Sequence, residues 1–111
     1  MTNMRKECNE YADRIAEEIN AVVRHESDEY DDPLEWLNDQ LDVEYTCNAR
    51  GEFIGAKVYI TLGGPTAYYD TRNGEDTVKW GTESGVSWVS EAAEEELENL
   101  LAEDWNIIRG C

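Results

Sequence analysis

Apolar residues recur along the chain with two different periods. Met4, Cys8, Tyr11, Ile15, Ile19 and Val22 follow one another at steps of four or three, with Ala12, Ala16 and Val23 beside them. This spacing predicts an amphipathic helix of about five or six turns. Its opposite face carries Glu7, Glu10, Asp13, Arg14, Glu17 and Glu18, and it is expected to fray near Arg24 and His25. Asp32-Pro33-Leu34-Glu35 then reads as a helix start, with Asp as N-cap, Pro at the first position and Glu at the third. A second, short helix is expected from Pro33 to Leu41, burying Leu34, Leu37 and Leu41 with Trp36 at its edge. Near the other end, Ser90 is placed to cap a final helix. Ala93, Leu97, Leu100, Leu101 and Trp105 form its apolar stripe, with Ile108 as an extension.

Between these helices the period changes to two. Val43, Tyr45 and Cys47 alternate with polar residues and predict a first strand, and Arg50-Gly51-Glu52 turns it into Phe53. From Ala56 to Leu62 the even positions are apolar, the pattern of a half-buried strand. Gly63-Gly64-Pro65 breaks that strand, because the glycines admit unusual dihedrals and proline donates no ladder hydrogen bond. Thr66 to Thr71 is rich in β-branched and aromatic residues and predicts the next strand. Asn73-Gly74 is a strong hairpin signal. It leads into a strand from Thr77 to Gly81, then a turn at Thr82-Glu83-Ser84-Gly85 and a last strand from Val86 to Val89. Short connections predict antiparallel pairing. The expected architecture is a single α+β domain over residues 1–111. It has two N-terminal helices, an antiparallel meander of four to five strands, and a C-terminal helix packed on one face.

Charge changes the picture most. The chain has 26 Asp and Glu against 9 Lys and Arg, a formal net charge of -17. Such a surface repels nucleic acid and acidic membranes and attracts basic surfaces, with fast, salt-sensitive association. The 41% hydrophobic content and the regular spacing argue against disorder. No apolar run approaches the ~18 residues of a membrane span, and the first residues read as a helix rather than a leader. Cys8, Cys47 and Cys111 are odd in number and scattered, which fits a reducing bacterial or archaeal cytoplasm and no structural zinc. Cys111 is expected at an exposed end.

The chemical candidates are few. His25, the only histidine, stands at a helix end beside Glu26 with no nucleophile motif nearby, so a solvated terminal residue is expected. Among 26 acids any two carboxylates look suggestive, so glycosidase chemistry gains no support. Asp70 to Asp76 fails as a calcium loop because Arg72 occupies a ligand position. Gly63-Gly64-Pro65 lacks the Lys and helix of a phosphate cradle. Cys8 lies on an apolar stripe and is expected in the core. No enzyme, metal or cofactor is therefore expected.

Two features point instead to protein binding. If Val58, Ile60 and Leu62 face the helices, Tyr59 lies on the open face of the sheet, joined by one of Tyr68 and Tyr69. Such a face is either an anchor surface for a partner or a set of cross-strand pairs sufficient to themselves. Secondly, six of the ten residues from Glu26 to Glu35 are acidic, and more acids cluster at Glu91, Glu94, Glu95 and Glu98. Carboxylates at i and i+4 stand about 6 Å apart at the backbone, comparable to phosphates along a nucleic-acid strand. Concentration in clusters favours nucleic-acid mimicry over an even, salt-adapted coat, although only Lys6, Lys57 and Lys79 among so many acids also fits a halophile.

In its size, acidity, α-β-β-β-α order and the hairpin segment LGGPTAYYDTRNG followed by a Trp-Gly strand, residues 54–105 above all, the chain resembles small acidic phage and mobile-element inhibitors of the anti-CRISPR and anti-restriction kind. The resemblance implies an inhibitor that occupies the basic nucleic-acid-binding surface of a CRISPR effector or another DNA-binding nuclease. Asp28, Glu29, Asp31, Asp32, Glu91, Glu94, Glu95 and Glu98 are the expected contacts. Anchors are expected among Tyr30, Trp36, Tyr59, Tyr68 and Trp80. An immunity protein neutralising a basic toxin, or an acidic accessory domain of a halophile, are the alternatives. No direct contact with nucleic acid or membrane is expected, and the oligomeric state stays open.

Overall fold

The computed structural model describes residues 4–109, so Cys111 lies outside the described residues. One long helix, α1 (Met4–Val23), is followed by a short one, α2 (Pro33–Asn38). Five strands follow: β1 (Asp42–Cys47), β2 (Phe53–Thr61), β3 (Thr66–Asp70), β4 (Glu75–Trp80) and β5 (Glu83–Trp88). Helix α3 (Glu91–Arg109) comes last. The sheet is an antiparallel meander in the order β1-β2-β3-β4-β5. Helix α1 lies over β4 and β5, and α3 packs over β2 beside it.

The core is the seam between this helix layer and the sheet. Cys8, Ala12, Ile15, Ala16, Ile19 and Val22 of α1 and Ala93, Leu97 and Leu101 of α3 meet Ala56, Val58, Ala67, Tyr69 and Val78 of the strands. Each fully buried large aliphatic side chain contributes about 1.5–3 kcal/mol. Glycine sets how close α1 comes: Gly85 is buried in β5, and a Cβ there would collide with the backbone of Cys8 and Asn9. Asn9 Oδ1 accepts the Val86 N–H and Asn20 Oδ1 the Ser90 N–H. Side chains of α1 thus satisfy one donor on the edge strand β5 and one just after it, where no further strand lies.

Several elements differ from the expected pattern. Helix α2 ends at Asn38, capped by Asp32, whose side chain accepts the Glu35 N–H at 2.8 Å. A helix this short buries Pro33, Trp36 and Leu37, an i, i+3, i+4 set. Leu34 and Leu41, expected inside, are 52% and 60% exposed. Trp36 is core rather than edge, and its Nε1 donates to Glu18 Oε1 at 2.9 Å. Leu62 is exposed because an irregularity between Tyr59 and Thr61 shifts the β2–β3 register. A one-residue bulge reverses the alternation beyond it.

The β3–β4 loop around Asn73-Gly74 is Thr71 to Gly74: β3 stops at Asp70 rather than Thr71, β4 begins at Glu75 rather than Thr77, and only Gly74 has positive φ there. The β4–β5 turn is Gly81-Thr82, not residues 82–85, with Gly81 at φ +63°. Ser84 and Gly85 become strand residues, and Gly85 serves helix approach instead of a turn. Ile108, expected to extend the α3 stripe, is exposed. Helix α1 ends where expected: the His25 N–H binds Val22 O, the Glu26 N–H binds Ala21 O, and His25 is left-handed at φ 59°. This is the Schellman pattern that glycine usually completes.

One polar pair lies inside the core. Tyr69 and Asp76 are register partners, both fully buried. Among the described residues, neither the Tyr69 hydroxyl nor either Asp76 carboxyl oxygen has a hydrogen-bond partner. Burial pushes the Asp76 carboxyl up to about 7, reinforced by Asp13 and Glu75 and opposed only by the residue's own backbone N–H. The Tyr69 hydroxyl is also raised by burial, with nearby Glu94, Asp70, Glu98 and Asp76 adding to it.

Two outcomes follow from the seam. Gly85→Ala forces α1 off β5 and lowers the unfolding free energy by about 3 kcal/mol, the upper end for overpacking, as chemical denaturation will read. For Asp76 the folded pKa stands above the unfolded value of 3.8, so the folded state binds the proton more tightly. Its stabilising contribution is complete below the unfolded pKa and is lost as pH rises to about 7. Asp76→Asn therefore gains on the wild type between pH 4 and 8, by on the order of 2–4 kcal/mol. Parallel denaturation curves for the two proteins across that range would contradict a protonated Asp76.

Candidate protein-binding surface

Helix α3 begins at a satisfied cap. Ser90 Oγ accepts the Ala93 N–H at 3.2 Å, and Ser90 O accepts the Glu94 N–H. Glu91 and Glu94 in the first turn complement the helix dipole. The heptad phase that buries Ala93, Leu97 and Leu101 turns Glu91, Glu95 and Glu98 outward, while Glu94 is half-buried against Gly74 of the β3–β4 loop. The four carboxylates line one open hollow of about 210 Å³. Glu91 with Glu95, and Glu94 with Glu98, are like charges at i, i+4, each pair destabilising by about 0.2–0.5 kcal/mol. The ion pairs among the described residues are Lys6–Glu10, Arg24–Glu26 and Arg50–Glu52, all exposed, and none reaches these four.

The second half of α3 is occupied differently. Tyr45 donates to Asp104 and stacks at 5.4 Å on Trp105, whose Nε1 donates to Gly51 O at 2.9 Å. Burial, then the bond to Asp104, raise the Tyr45 hydroxyl. These contacts lock the helix to the β1–β2 hairpin and leave its N-terminal half as the free acidic surface.

The other acidic stretch is a structured loop between α1 and α2. Asp28, Glu29, Asp31 and Asp32 are all exposed. Asp32 is committed to the α2 cap, and the Asp31 carbonyl accepts from His25 Nδ1 at 3.1 Å. Ser27 Oγ accepts the N–H groups of Glu29 and Tyr30. Tyr30 donates to Asp39 at 2.5 Å, and that bond raises its hydroxyl pKa. Glu29, Tyr30, Glu35, Asn38 and Asp39 line a hollow of about 400 Å³.

The five expected aromatic anchors fall in four places, with Tyr30 in the hollow of the α1–α2 loop. Trp36 is buried and offers nothing to a partner. Tyr59 and Tyr68 are register partners with ring centroids 5.8 Å apart, on the face of the sheet away from the helices. One flat contact cannot use both these tyrosines and the α3 carboxylates. Trp80 shares the inward strand phase of Asp76 and Val78 and is 44% exposed. With Glu7, Cys8, Glu10, Tyr11, Arg14 and Val78 it lines a groove of about 280 Å³ beside α1. Periodicity places Tyr11 only on the α1 stripe; that it lines the same groove as Trp80 depends on the approach of α1 to β4.

Chemistry finds little purchase elsewhere. Cys8 is a buried free thiol and Cys47 an exposed one. Among the described residues no group of three His, Cys, Asp or Glu is placed to hold a metal ion, and no helix is long and apolar enough to cross a membrane. No known protein family, curated protein or solved structure matches the chain.

Proposed function

We propose that this protein is a binding inhibitor rather than an enzyme. It presents the α3 carboxylates to a Lys/Arg-lined groove that otherwise takes nucleic acid. The observation that carries this reading is the hollow formed by Glu91, Glu94, Glu95 and Glu98. Four carboxylates are held together on a rigid helix, with like-charge pairs that the described ion pairs leave uncompensated. Such an arrangement weakens the free protein slightly and suits a cationic partner. The resemblance to phage and mobile-element inhibitors supports a CRISPR effector or another DNA-binding nuclease as that partner. Its action would be to block DNA binding or cleavage inside the host cytoplasm.

Each exposed ion pair contributes about 0–1 kcal/mol. Four together reach at most about 4 kcal/mol, so tight binding also needs a desolvated anchor. Trp80 in its groove beside Tyr11 is the exposed aromatic on the helix side of the sheet. The α1–α2 loop, with Asp28, Glu29, Asp31 and Asp32, offers a second set of carboxylates.

Replacing Glu91, Glu94, Glu95 and Glu98 together by Gln preserves helix propensity and removes four charges. In a DNA-cleavage assay with a CRISPR effector, inhibition should weaken at least tenfold, and the salt dependence of binding should become shallower. Undiminished inhibition by the quadruple variant would move the contact to Asp28, Glu29, Asp31 and Asp32.

A further inference from the structure

The face of the sheet away from the helices has a composition unlike the rest of the molecule. Register places two rows on it: Asp42, Tyr59, Tyr68, Thr77 and Val86 across the middle, and Glu44, Lys57, Asp70, Glu75 and Trp88 beside them. Lys79, opposite Thr66, lies on the same face. Two of the chain's three lysines therefore stand here, and both reach the Tyr68 ring, Lys57 at 5.1 Å and Lys79 at 5.7 Å. Arg72 lies against Gly55, where an added Cβ would collide with it. Trp88 is 59% exposed and Val86 is also exposed, both on β5.

Three cations set among Asp42, Glu44, Asp70 and Glu75 leave this face near neutrality in a chain of net charge -17. The charges are ordered. Acids stand on β1, lysines flank the central tyrosine, acids return at Asp70 and Glu75, and the apolar side chains stand on β5. An anionic strand has no comparable fit, because Asp42, Glu44, Asp70 and Glu75 stand among the cations and meet its phosphates as like charges, whereas a surface of mixed sign does not. A basic partner finds its carboxylates on the helix layer instead.

We propose that this face packs against the same face of a second copy of the chain. Isologous contact requires a self-complementary surface, and this face carries both signs close together, Lys57, Asp70 and Glu75 in one cross-strand row and Lys79 on the same strand as Glu75, so that each lysine can meet a carboxylate of the other copy. Val86 and Trp88 supply the apolar contact. Strands about 4.8 Å apart and about 18 Å long make a five-stranded face of about 430 Å² in projection. Even with side-chain relief this is near or below the ~800 Å² per partner of a standard interface. The dimer therefore forms in the micromolar range and leaves both acidic helix layers facing outward.

Sedimentation equilibrium from 5 to 300 µM, in 0.3 M NaCl to screen the net charge, tests this. The wild type should pass from monomer to dimer mass within that range. Trp88→Glu and Lys79→Glu, both at exposed positions, should keep the wild-type circular dichroism and remain monomeric. A wild type that stays monomeric at 300 µM, or variants that dimerise as well as the wild type, would overturn the proposal. So would binding of a fluorescent oligo-dT strand that Lys79→Glu abolishes, since that would assign the face to nucleic acid.

Discussion

The structure depends on how closely α1 can approach the sheet. Only a residue without a side chain can occupy position 85, because the backbone of Cys8 and Asn9 fills the space where a Cβ would go. That contact brings the stripe from Cys8 to Val22 down onto β4 and β5 and lets Asn9 and Asn20 reach backbone donors at β5 and just after it. Space for α3 then remains beside α1 over β2, and α2 closes the layer through Trp36 and its bond to Glu18. A thinner or thicker spacing at Gly85 would change the depth at which Ala12, Ala93 and Tyr69 meet.

The same layering sorts the charge. Both long helices are on one side, so the carboxylates on their outer surfaces form an acidic layer. The lysines of β2 and β4 fall on the other side. An uneven distribution of this kind gives a strongly acidic protein two different faces, one suited to cations and one near neutral. The fully buried Asp76 belongs to neither. It is a polar group held in the seam, where burial raises its pKa to about 7.

Much of this was legible in the sequence, for physical reasons that also mark the limits. Long periodic stripes dictate which face of a helix is buried, so α1 and the core positions Ala93, Leu97 and Leu101 are as expected. The period-two runs predict the strands, and their short connections the antiparallel order. What failed was local. Leu34 and Leu41 read as buried in a helix running from Pro33 to Leu41, whereas α2 ends at Asn38 and buries Trp36. Leu62 was misjudged because a bulge leaves no trace in composition. Gly81 and Gly85 are both plausible turn residues, and only the position of α1 shows which one makes the turn. For the candidate surface, the Glu91 to Glu98 cluster and the open-face position of Tyr59 follow from periodicity, but the choice of Tyr68 over Tyr69 beside it follows only from the strand register. The Trp80 and Tyr11 groove does not, since it joins residues 69 positions apart.

In the proposed function, the acidic helix layer competes with nucleic acid for a basic partner. The most direct measurement is capture of host nucleases on the immobilised protein, washed first at low and then at high salt, with and without DNA. A CRISPR effector or another DNA-binding nuclease should be retained at low salt, released at high salt and displaced by DNA. Retention only of a small basic toxin, or of a nuclease that DNA does not displace, would contradict it.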